Sequence, residues 1–198
     1  MTDESLHARR SAATRRKLIE AATTLFAERG YAAVGTEEIV RTAGVTRGAM
    51  YHQFADKAAL LEAMVEEAEK ALVQRVAEGA IAQAGDPIAA LKAGSRAFLD
   101  EVADPATRQI LLIDAPSVLG HARWREIGLR HGLGLVEGVL AHGVELGVLR
   151  PMPVRAMAQL VSGAIDEAAL AIASADDPVA ARATFDEALD LLIEAFRV

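Results

Sequence analysis

Cysteine is absent from this chain of 198 residues, and aromatic residues make up only 4% of it. Without cysteine the chain has no disulfide, no thiolate nucleophile and no cysteine-ligated zinc, which is compatible with a reducing cytoplasm. The shortage of aromatic residues and the frequency of alanine and leucine favour helices over sheets. No segment sustains the alternation of apolar and polar residues that predicts strands. The sequence therefore predicts an all-α protein.

Long apolar runs are also missing. The longest stretch without Asp, Glu, Lys or Arg is the ten residues from Ala156 to Ile165, about half of what a membrane-spanning helix needs. The N-terminal segment MTDESLHARRSAATRR lacks the apolar core of a signal peptide. We therefore expect a cytoplasmic protein without a membrane partner.

Motifs for catalysis are equally scarce. The chain has no G-x-S-x-G, no Walker loop and no H-E-x-x-H, and Gly132-Leu133-Gly134 lacks the spacing of a dinucleotide site. His131 and His142 fall on one helix face but about 16 Å apart, too far to share a metal ion. We expect no catalytic residue, no metal site and no cofactor, and keep a helical enzyme as the least favoured alternative.

Charge is distributed unevenly along the chain. The net charge is −7, yet residues 1–60 hold nine Lys and Arg against seven Asp and Glu, whereas residues 61–198 hold twelve against twenty-one. A basic cluster with no acid among its members lies before Glu20 and consists of Arg9, Arg10, Arg15, Arg16 and Lys17. Such a cluster is a site for phosphates or an ordinary solvated helix start.

Capping signals divide the chain into about nine helices. Apolar spacing predicts a first helix from Ser11 to Arg29, ended by Gly30. Short second and third helices follow, with Thr36 and Thr46 as N-caps, and Gly44 closes the second. Further starts are expected at Asp56 and at the pairs Asp86-Pro87, Asp104-Pro105 and Asp177-Pro178. Pro116 should interrupt a helix near Ala115, and Pro151 and Pro153 should separate a helix ending near Leu149 from one beginning near Val154.

Seven glycines interrupt the helical pattern between Gly120 and Gly147. Each costs about 1 kcal/mol relative to alanine in a helix interior. Either close helix packing or a locally unwound helix that moves on ligand binding accounts for them.

The segment TEEIVRTAGVTRGAMYHQF has the pattern of a helix-turn-helix, two short helices joined by a glycine-containing turn. Its apolar positions form a small core and leave an outer face of small and polar residues: Arg47, Gly48, Ala49, Tyr51, His52 and Gln53. A recognition helix needs small residues to enter the major groove and donors for base edges or phosphates. The alternative is an ordinary helical hairpin.

Residues from about Arg15 to Leu61 resemble the DNA-binding domain of the tetracycline-repressor family. The matching features are A-x-x-L-F-A-E-x-G-Y at the end of the first helix, Thr36 with Ile39, the A-G-V turn, and Met50-Tyr51-x-x-Phe54-x-x-Lys57-x-x-Leu60. DAPSVLGHARWREI further resembles the C-terminal domain of one branch of that family. The resemblance implies a DNA-binding domain over residues 1–60 and a helical ligand-binding and dimerisation domain over residues 61–198.

The family resemblance also implies roles for individual residues. It places Thr36 at a phosphate, Arg47, Gly48 and Ala49 in the groove, Tyr51 and His52 mainly on phosphates, and Lys57 on the flanking backbone; Thr46 belongs to the same candidate set. Glu37 departs from relatives that carry a basic, base-reading side chain there. Its carboxylate would repel phosphate or at best accept a hydrogen bond from cytosine. We therefore expect the second helix not to read bases.

The remainder of the chain is expected to bind an unidentified small molecule and to form the homodimer. The dimer is expected to bind a palindromic operator in double-stranded DNA. For the ligand pocket we nominate Phe98, Leu112, Trp124 and His131, each also compatible with a core or surface position. For the dimer interface the apolar stripes nominate Val161, Ile165, Leu189, Leu192 and Phe196, and they fit a monomer core almost as well. The expected function is a ligand-released repressor; a DNA-binding protein without a ligand is the alternative.

Overall fold

The computed structural model of the protein describes residues 3–81 and 85–198, with side chains described for 8–79 and 85–198. The N-terminal helices are α1 (Asp3–Arg29), α2 (Thr36–Ala43), α3 (Arg47–Gln53) and α4 (Lys57–Ile81). They are followed by α5 (Pro87–Ala103), α6, α7 (His121–Glu145), α8 (Val154–Ser174) and α9 (Pro178–Glu194). Helix α6 joins three consecutive segments, Pro105–Arg108, Gln109–Asp114 and Ala115–Leu119. Over the described ranges these nine helices are accompanied only by an isolated antiparallel bridge between Leu149 and Arg197, so the all-α prediction is confirmed.

Most predicted helix starts are confirmed by their capping hydrogen bonds. The Thr46 hydroxyl accepts the N–H of Ala49 at 3.1 Å, at the start of α3. The Asp56 carboxylate accepts an N–H in the first turn of α4 at 2.7 Å. Asp86 and Asp177 each lie directly before a proline, and each carboxylate accepts the N–H groups of the two residues that follow the proline. Local side-chain chemistry therefore fixes these boundaries, as expected for N-caps.

Two boundaries near the N-terminus differ from the prediction. Thr36 is the first residue of α2 and not its cap, because the extended backbone that a cap requires belongs to Gly35 (φ −88°, ψ 155°). Helix α1 begins at Asp3, two turns before Ser11. The apolar periodicity used for prediction starts only at Leu18, whereas the alanines and arginines before it are good helix formers without an apolar face.

Helix α6 contains a π-helical turn over Gln109–Asp114, just before Pro116. Pro116 has no N–H to donate, and its ring would clash with the carbonyl four residues earlier in a regular α-helix. Widening of the preceding turn avoids this clash and keeps the chain helical. Pro116 thus distorts the helix at the predicted place without ending it.

The described residues form two compact units. Unit 1 comprises Met1–Glu67 and Pro105–Arg123, and unit 2 comprises Ala68–Asp104 and Trp124–Val198. In unit 1, α1 contacts α2, α3 and α6 around a core that includes Leu18, Phe26, Ile39, Met50 and Leu60. Unit 1 therefore contains α6 in addition to the N-terminal helices. A domain boundary at residue 60, as predicted from the sequence, leaves α6 out.

In unit 2, α5, α8 and α9 pack against one another. Among the described residues, α8 alone is long and apolar enough to cross a membrane by length and composition, and 28% of its apolar window is buried. Its inner face carries Ala158, Val161, Ile165 and Ala168, which are buried in the chain. On its outer side Ala156 and Leu160 are exposed in the single chain, and most of its other apolar residues are half-buried.

The glycines of α7 do not unwind it, since the helix is continuous from His121 to Glu145. Gly120 and Gly147 flank it with φ values of +80° and +69°, which favour glycine. A Cβ atom on Gly143 would lie 2.5 Å from Leu149 Cδ1, so glycine there permits the close return of the chain after α7. At Gly143 the close-packing explanation therefore holds.

Candidate functional site

The first turn of α3 presents small and basic residues to solvent. Thr46 caps the helix, and Arg47 and Gly48 follow it with exposed side-chain positions, while Ala49 is half-buried. Nothing lies within 4 Å of the position that a Gly48 Cβ would take. The next residue, Met50, is fully buried and anchors the helix on α1 and α2. This arrangement leaves the outer side of the first turn open to a groove.

Arg47 has only loosely held partners. Its guanidinium lies 3.5 Å from a carboxylate oxygen of Glu37, with side-chain exposures of 65% and 84%, and 5.6 Å from the centre of the Tyr51 ring. Exposed ion pairs contribute about 0–1 kcal/mol. Arg47 can therefore exchange Glu37 for a stronger acceptor at small cost. Tyr51 and His52 are exposed one turn further along α3.

Helix α1 supplies a second row of basic residues. Arg9, Arg10, Arg16 and Lys17 are exposed, and Arg16 makes only a solvent-exposed contact of 3.7 Å with Glu20. Arg15 instead packs 4.7 Å above the Phe54 ring. Gln53, expected on the outer face of α3, donates to the Ser11 hydroxyl at 2.8 Å and so ties α3 to α1.

Lys57 contacts the loop between α1 and α2. Its ammonium donates to the carbonyl oxygens of Tyr31 and Val34, both at 2.9 Å, and lies 3.8 Å from the centre of the Tyr31 ring. Burial lowers the pKa of Lys57, and the nearby Asp114 carboxylate partly offsets this effect. Two of its three protons are used on the loop between α1 and α2, so we interpret Lys57 as a loop clamp, while the phosphate role implied by the resemblance stays a prediction.

Asp114, which was not predicted as a functional residue, holds the same loop from α6. Its buried carboxylate accepts the Tyr31 N–H at 2.9 Å and the Gln109 side-chain amide at 3.1 Å. Burial, together with the negative charges of Asp56 and Asp114, raises the pKa of Tyr31. An aspartate inside the apolar run of residues 110–115 was the available signal, but only the fold shows which N–H it accepts.

Replacing Lys57 tests the loop-clamp role. Lys57→Ala removes two charge-assisted hydrogen bonds to part-buried carbonyls, and each carbonyl left without a donor costs up to about 1–3 kcal/mol. We expect a lower melting temperature and weaker DNA binding, with an unchanged slope of log affinity against log salt. Thermal melting by circular dichroism and DNA-binding titrations at several salt concentrations measure both quantities.

Lys17→Ala is the matched control, because Lys17 is an exposed lysine of α1 in the same unit. If Lys17 contacts a phosphate, its removal reduces the salt slope by about one per half-site and leaves the melting temperature unchanged. Unchanged melting combined with a reduced slope for Lys57→Ala would support the phosphate role of Lys57.

Unit 2 encloses a cavity of about 100 Å³. Its walls come from α4, α5, α7 and α8, with Val73, Phe98, Trp124, Val161 and Ile165 among the apolar lining residues. Trp124 is the single tryptophan of the chain. The cavity is therefore apolar, with a built-in fluorescent residue in its wall.

Two of the four residues nominated for the pocket, Phe98 and Trp124, line this cavity. Leu112 is buried in α6, within unit 1, so its nomination is corrected. His131 is not among the residues that line this cavity, although Trp124 and Leu135 on the same side of α7 are, so its nomination stays a prediction.

The residues nominated for a dimer interface are mostly committed to the chain itself. Val161 and Ile165 line the cavity, and Leu189 and Phe196 are buried. In the single chain these four side chains have little exposed surface to offer a second copy, and their place in a dimer interface stays a prediction. Leu192 stays exposed, together with a row on the outer side of α8 and α9 that includes Ala156, Leu160, Ala180, Ala188 and Leu191.

Known proteins match both parts of the chain. Two sequence-family models match. "Bacterial regulatory proteins, tetR family" matches residues 18–64, and "Tetracyclin repressor-like, C-terminal domain" matches residues 88–196. The HTH-type transcriptional regulator AcrR of Shigella flexneri is 30% identical over 50% of this chain, and the match spans 46% of its own length. The transposon Tn10 TetC protein of Escherichia coli is 26% identical over 76% of this chain and 75% of that protein.

This chain also resembles the crystal structure of a TetR-family transcriptional regulator from Pectobacterium atrosepticum, with 30% sequence identity and a TM-score of 0.84. The alignment covers 100% of this chain and 98% of the Pectobacterium chain. The likeness therefore extends through both units and not only through the helix-turn-helix. With a C-terminal family model over more than half of its length and the N-terminal model before it, the chain belongs to the tetracycline-repressor family of bacterial transcriptional regulators.

Proposed function

We propose that this protein is a homodimeric repressor that binds a palindromic operator and is released from it by a small molecule. The observation that carries this proposal is the open first turn of α3, where Arg47 and Gly48 are exposed above the buried anchor Met50. A capped helix start with a small residue and a loosely held arginine suits insertion into the major groove.

Specificity is expected from α3 and affinity from both α1 and α3. Arg47 is the candidate for a base edge, with Gly48 and Ala49 allowing close approach. Tyr51, His52, Thr36 and Thr46 are the candidates for phosphates. The exposed basic row on α1 would add sequence-independent affinity, and the exposed Glu37 argues against base reading by α2.

A second copy is the proposed occupant of the outer surface of α8 and α9. This α8–α9 surface is defined by Ala156, Leu160, Ala180, Ala188, Leu191 and Leu192. Leu160 and Leu191 are 65% and 67% exposed in the single chain, which is costly for large apolar side chains that stay in water. A two-fold pair of such surfaces would bury them and set two copies of α3 on two half-sites.

Two observations support control by a ligand. Unit 2 contains an apolar cavity, and the relatives of this chain are transcriptional regulators. Coupling requires that the ligand and the operator favour different conformations, and the effect must be reciprocal. The loop held by Lys57 and Asp114 is a candidate two-state element, since it fixes how α2 follows α1. The relatives named above are regulators, and we propose that this chain likewise acts in the cytoplasm without catalysing a reaction.

Selection of duplexes from a random-sequence pool, followed by binding titrations, tests operator recognition. We expect a palindromic consensus, and non-specific binding alone would contradict the proposal. A small-compound collection is then screened for release of the labelled operator. Operator DNA must weaken binding of any active compound by the same factor, commonly worth about 1–3 kcal/mol. Operator binding that no compound alters would favour the ligand-independent alternative.

A further inference from the structure

Glycines form part of the wall of the unit 2 cavity. Gly94 lines it from α5, and Gly128 and Gly132 line it from α7. Gly128 and Gly132 are four residues apart, so they lie one turn apart on the same face of their helix. Glycine is less favourable than alanine inside a helix. Its presence on two consecutive turns of α7 therefore calls for a reason.

Close packing does not require glycine at these two positions. A Cβ atom on Gly128 would lie 3.9 Å from a carboxylate oxygen of Glu69, and one on Gly132 would lie 3.7 Å from a Val73 methyl carbon. Both distances are ordinary van der Waals contacts, whereas a Cβ on Gly143 would clash at 2.5 Å. Alanine would thus fit at either position, and its methyl group would take up space at the cavity wall.

The apolar side chains of this wall are incompletely covered. Val73 from α4, Phe98 from α5, and Leu129, Val136 and Val139 from α7 line the cavity and are half-buried in the chain. Apolar surface that remains accessible to water is unfavourable. An apolar molecule in the cavity would remove part of that surface from water, so the wall favours an apolar ligand.

The polar side chains that line the cavity all interact with other residues of the chain: Glu69, Ser95, Trp124, Arg125, Ser162 and Asp166. Ser95 and Ser162 each donate the hydroxyl proton to a backbone carbonyl four residues earlier in the same helix, at 2.9 Å. Arg125 forms an ion pair with Asp166. These interactions remain when an apolar ligand binds, so this part of the wall does not oppose it.

The volume of the cavity limits the size of the ligand. It is about 100 Å³, whereas an engineered apolar cavity of about 150 Å³ binds benzene and pockets for drug-sized molecules measure about 300–1,000 Å³. A single ring or a short alkyl chain is therefore the largest apolar body that fits with little rearrangement.

We propose that the ligand is an apolar molecule about the size of one ring, and that Gly128 and Gly132 set this size. The proposal rests on the proposed function, in which this cavity is the ligand site. A methyl group at either glycine reduces the space for the ligand. A larger ligand has to displace the packed walls, which is unfavourable.

Tryptophan fluorescence tests the size limit, because Trp124 is the only tryptophan of the chain and lines the cavity at 5% exposure. The full-length protein is titrated with toluene, which has a single ring, and with tetralin, which has two fused rings. Excitation at the red edge of tryptophan absorption avoids the absorption of both compounds, and calorimetry checks the affinities.

We expect toluene to bind at least about tenfold more tightly than tetralin, because forcing extra methylene groups into a packed wall is commonly this costly. Tetralin is the more hydrophobic compound, so non-specific adhesion to apolar surface would give the opposite order. A third compound, myo-inositol, has a ring of similar size with a hydroxyl group on every carbon. It should not bind, because its hydroxyl groups would lose their hydrogen bonds to water.

Gly132→Ala tests the role of the glycines. The new methyl group should weaken toluene binding about tenfold because it reduces the cavity. The melting temperature should not fall, since the nearest contact of the new Cβ is an ordinary one and alanine favours the helix.

Gly134→Ala is the matched control on the same helix. Gly134 is exposed and lies outside the described lining of the cavity, and no described atom lies within 4 Å of the position of its Cβ. The change of residue is the same as at Gly132, so both variants gain the same helix preference. Toluene affinity should be unchanged in this variant.

Val136→Ala tests the size limit in the opposite direction. Val136 lines the cavity one turn after Gly132, and its truncation enlarges the space. Tetralin should bind about tenfold more tightly than to the wild-type protein, while toluene affinity should change less than about threefold. A gain of binding of this kind cannot result from a poorly folded variant.

The ligand assignment is overturned if tetralin binds as tightly as toluene, if myo-inositol does so, or if toluene does not bind. A loss of melting temperature in Gly132→Ala, or equal toluene affinities of Gly132→Ala and Gly134→Ala, would refute the role of the glycines. These titrations contain no DNA. A protein that binds its operator but not toluene therefore refutes the ligand class alone, whereas a protein that selects no operator refutes the proposed function.

Discussion

A protein carrying both Leu160→Asp and Leu191→Asp is expected to be monomeric at micromolar concentration and to bind operator DNA at least about a hundredfold more weakly. The first effect follows from the α8–α9 surface, where each leucine is worth about 1.5–3 kcal/mol when buried against a partner. The second follows because linked half-site contacts gain about 10²- to 10⁴-fold in affinity over separate ones. Light scattering measures the mass, and fluorescence anisotropy with a labelled operator measures the affinity.

Leu146→Asp is the matched control for this pair of substitutions. Leu146 is 53% exposed, follows α7 and lies outside the α8–α9 surface, so its replacement should leave mass and operator affinity unchanged. Phe196→Asp should instead lower the melting temperature, because Phe196 is buried within the chain. A monomeric wild-type protein, or a double variant that stays dimeric, would contradict the proposed interface.

Loss of Arg47 is expected to remove sequence discrimination at one base pair in each half-site. A bidentate contact from arginine to guanine contributes about 1–3 kcal/mol of preference over the wrong base. Arg47→Ala should therefore flatten the ranking of operator variants at that position, beyond any general loss of affinity. A panel of duplexes with single-base changes, titrated at several salt concentrations, measures both effects.

Arg16→Ala is the comparison, since Arg16 is an exposed arginine on α1 and not on α3. If it contacts a phosphate, all duplexes should weaken by a similar factor and the salt slope should fall by about one per half-site. Should Arg47→Ala behave like Arg16→Ala, Arg47 is a phosphate contact and base reading belongs elsewhere on α3.

Local signals predicted the secondary structure well. The caps at Thr46, Asp56, Asp86 and Asp177 and the left-handed glycine at Gly44 form through contacts within a few residues, so the sequence alone contains their causes. The same holds for the open first turn of α3, where a buried Met50 fixes which neighbours face outward. The start of α1 was missed because no apolar face marks it.

Contacts between distant segments could not be predicted in this way. The two apolar stripes of α8 and α9 were assigned to a dimer seam, yet most of their members line the cavity or the core of the chain. Periodicity identifies the most apolar face of a helix but not which neighbour covers it. Lys57 is a similar case, because its position in the motif does not indicate that its ammonium donates to the carbonyls of Tyr31 and Val34.

Local sequence patterns predict the helical class, the capped helix-turn-helix and the family, because each depends on side chains and backbone within a few turns. Packing between distant segments accounts for three other features: Asp114 and Lys57 hold the loop before α2, Val161 and Ile165 line the cavity of unit 2, and the outer rows of α8 and α9 stay exposed. These features join residues up to about eighty positions apart, and such pairings are set by how whole helices pack and not by any local preference.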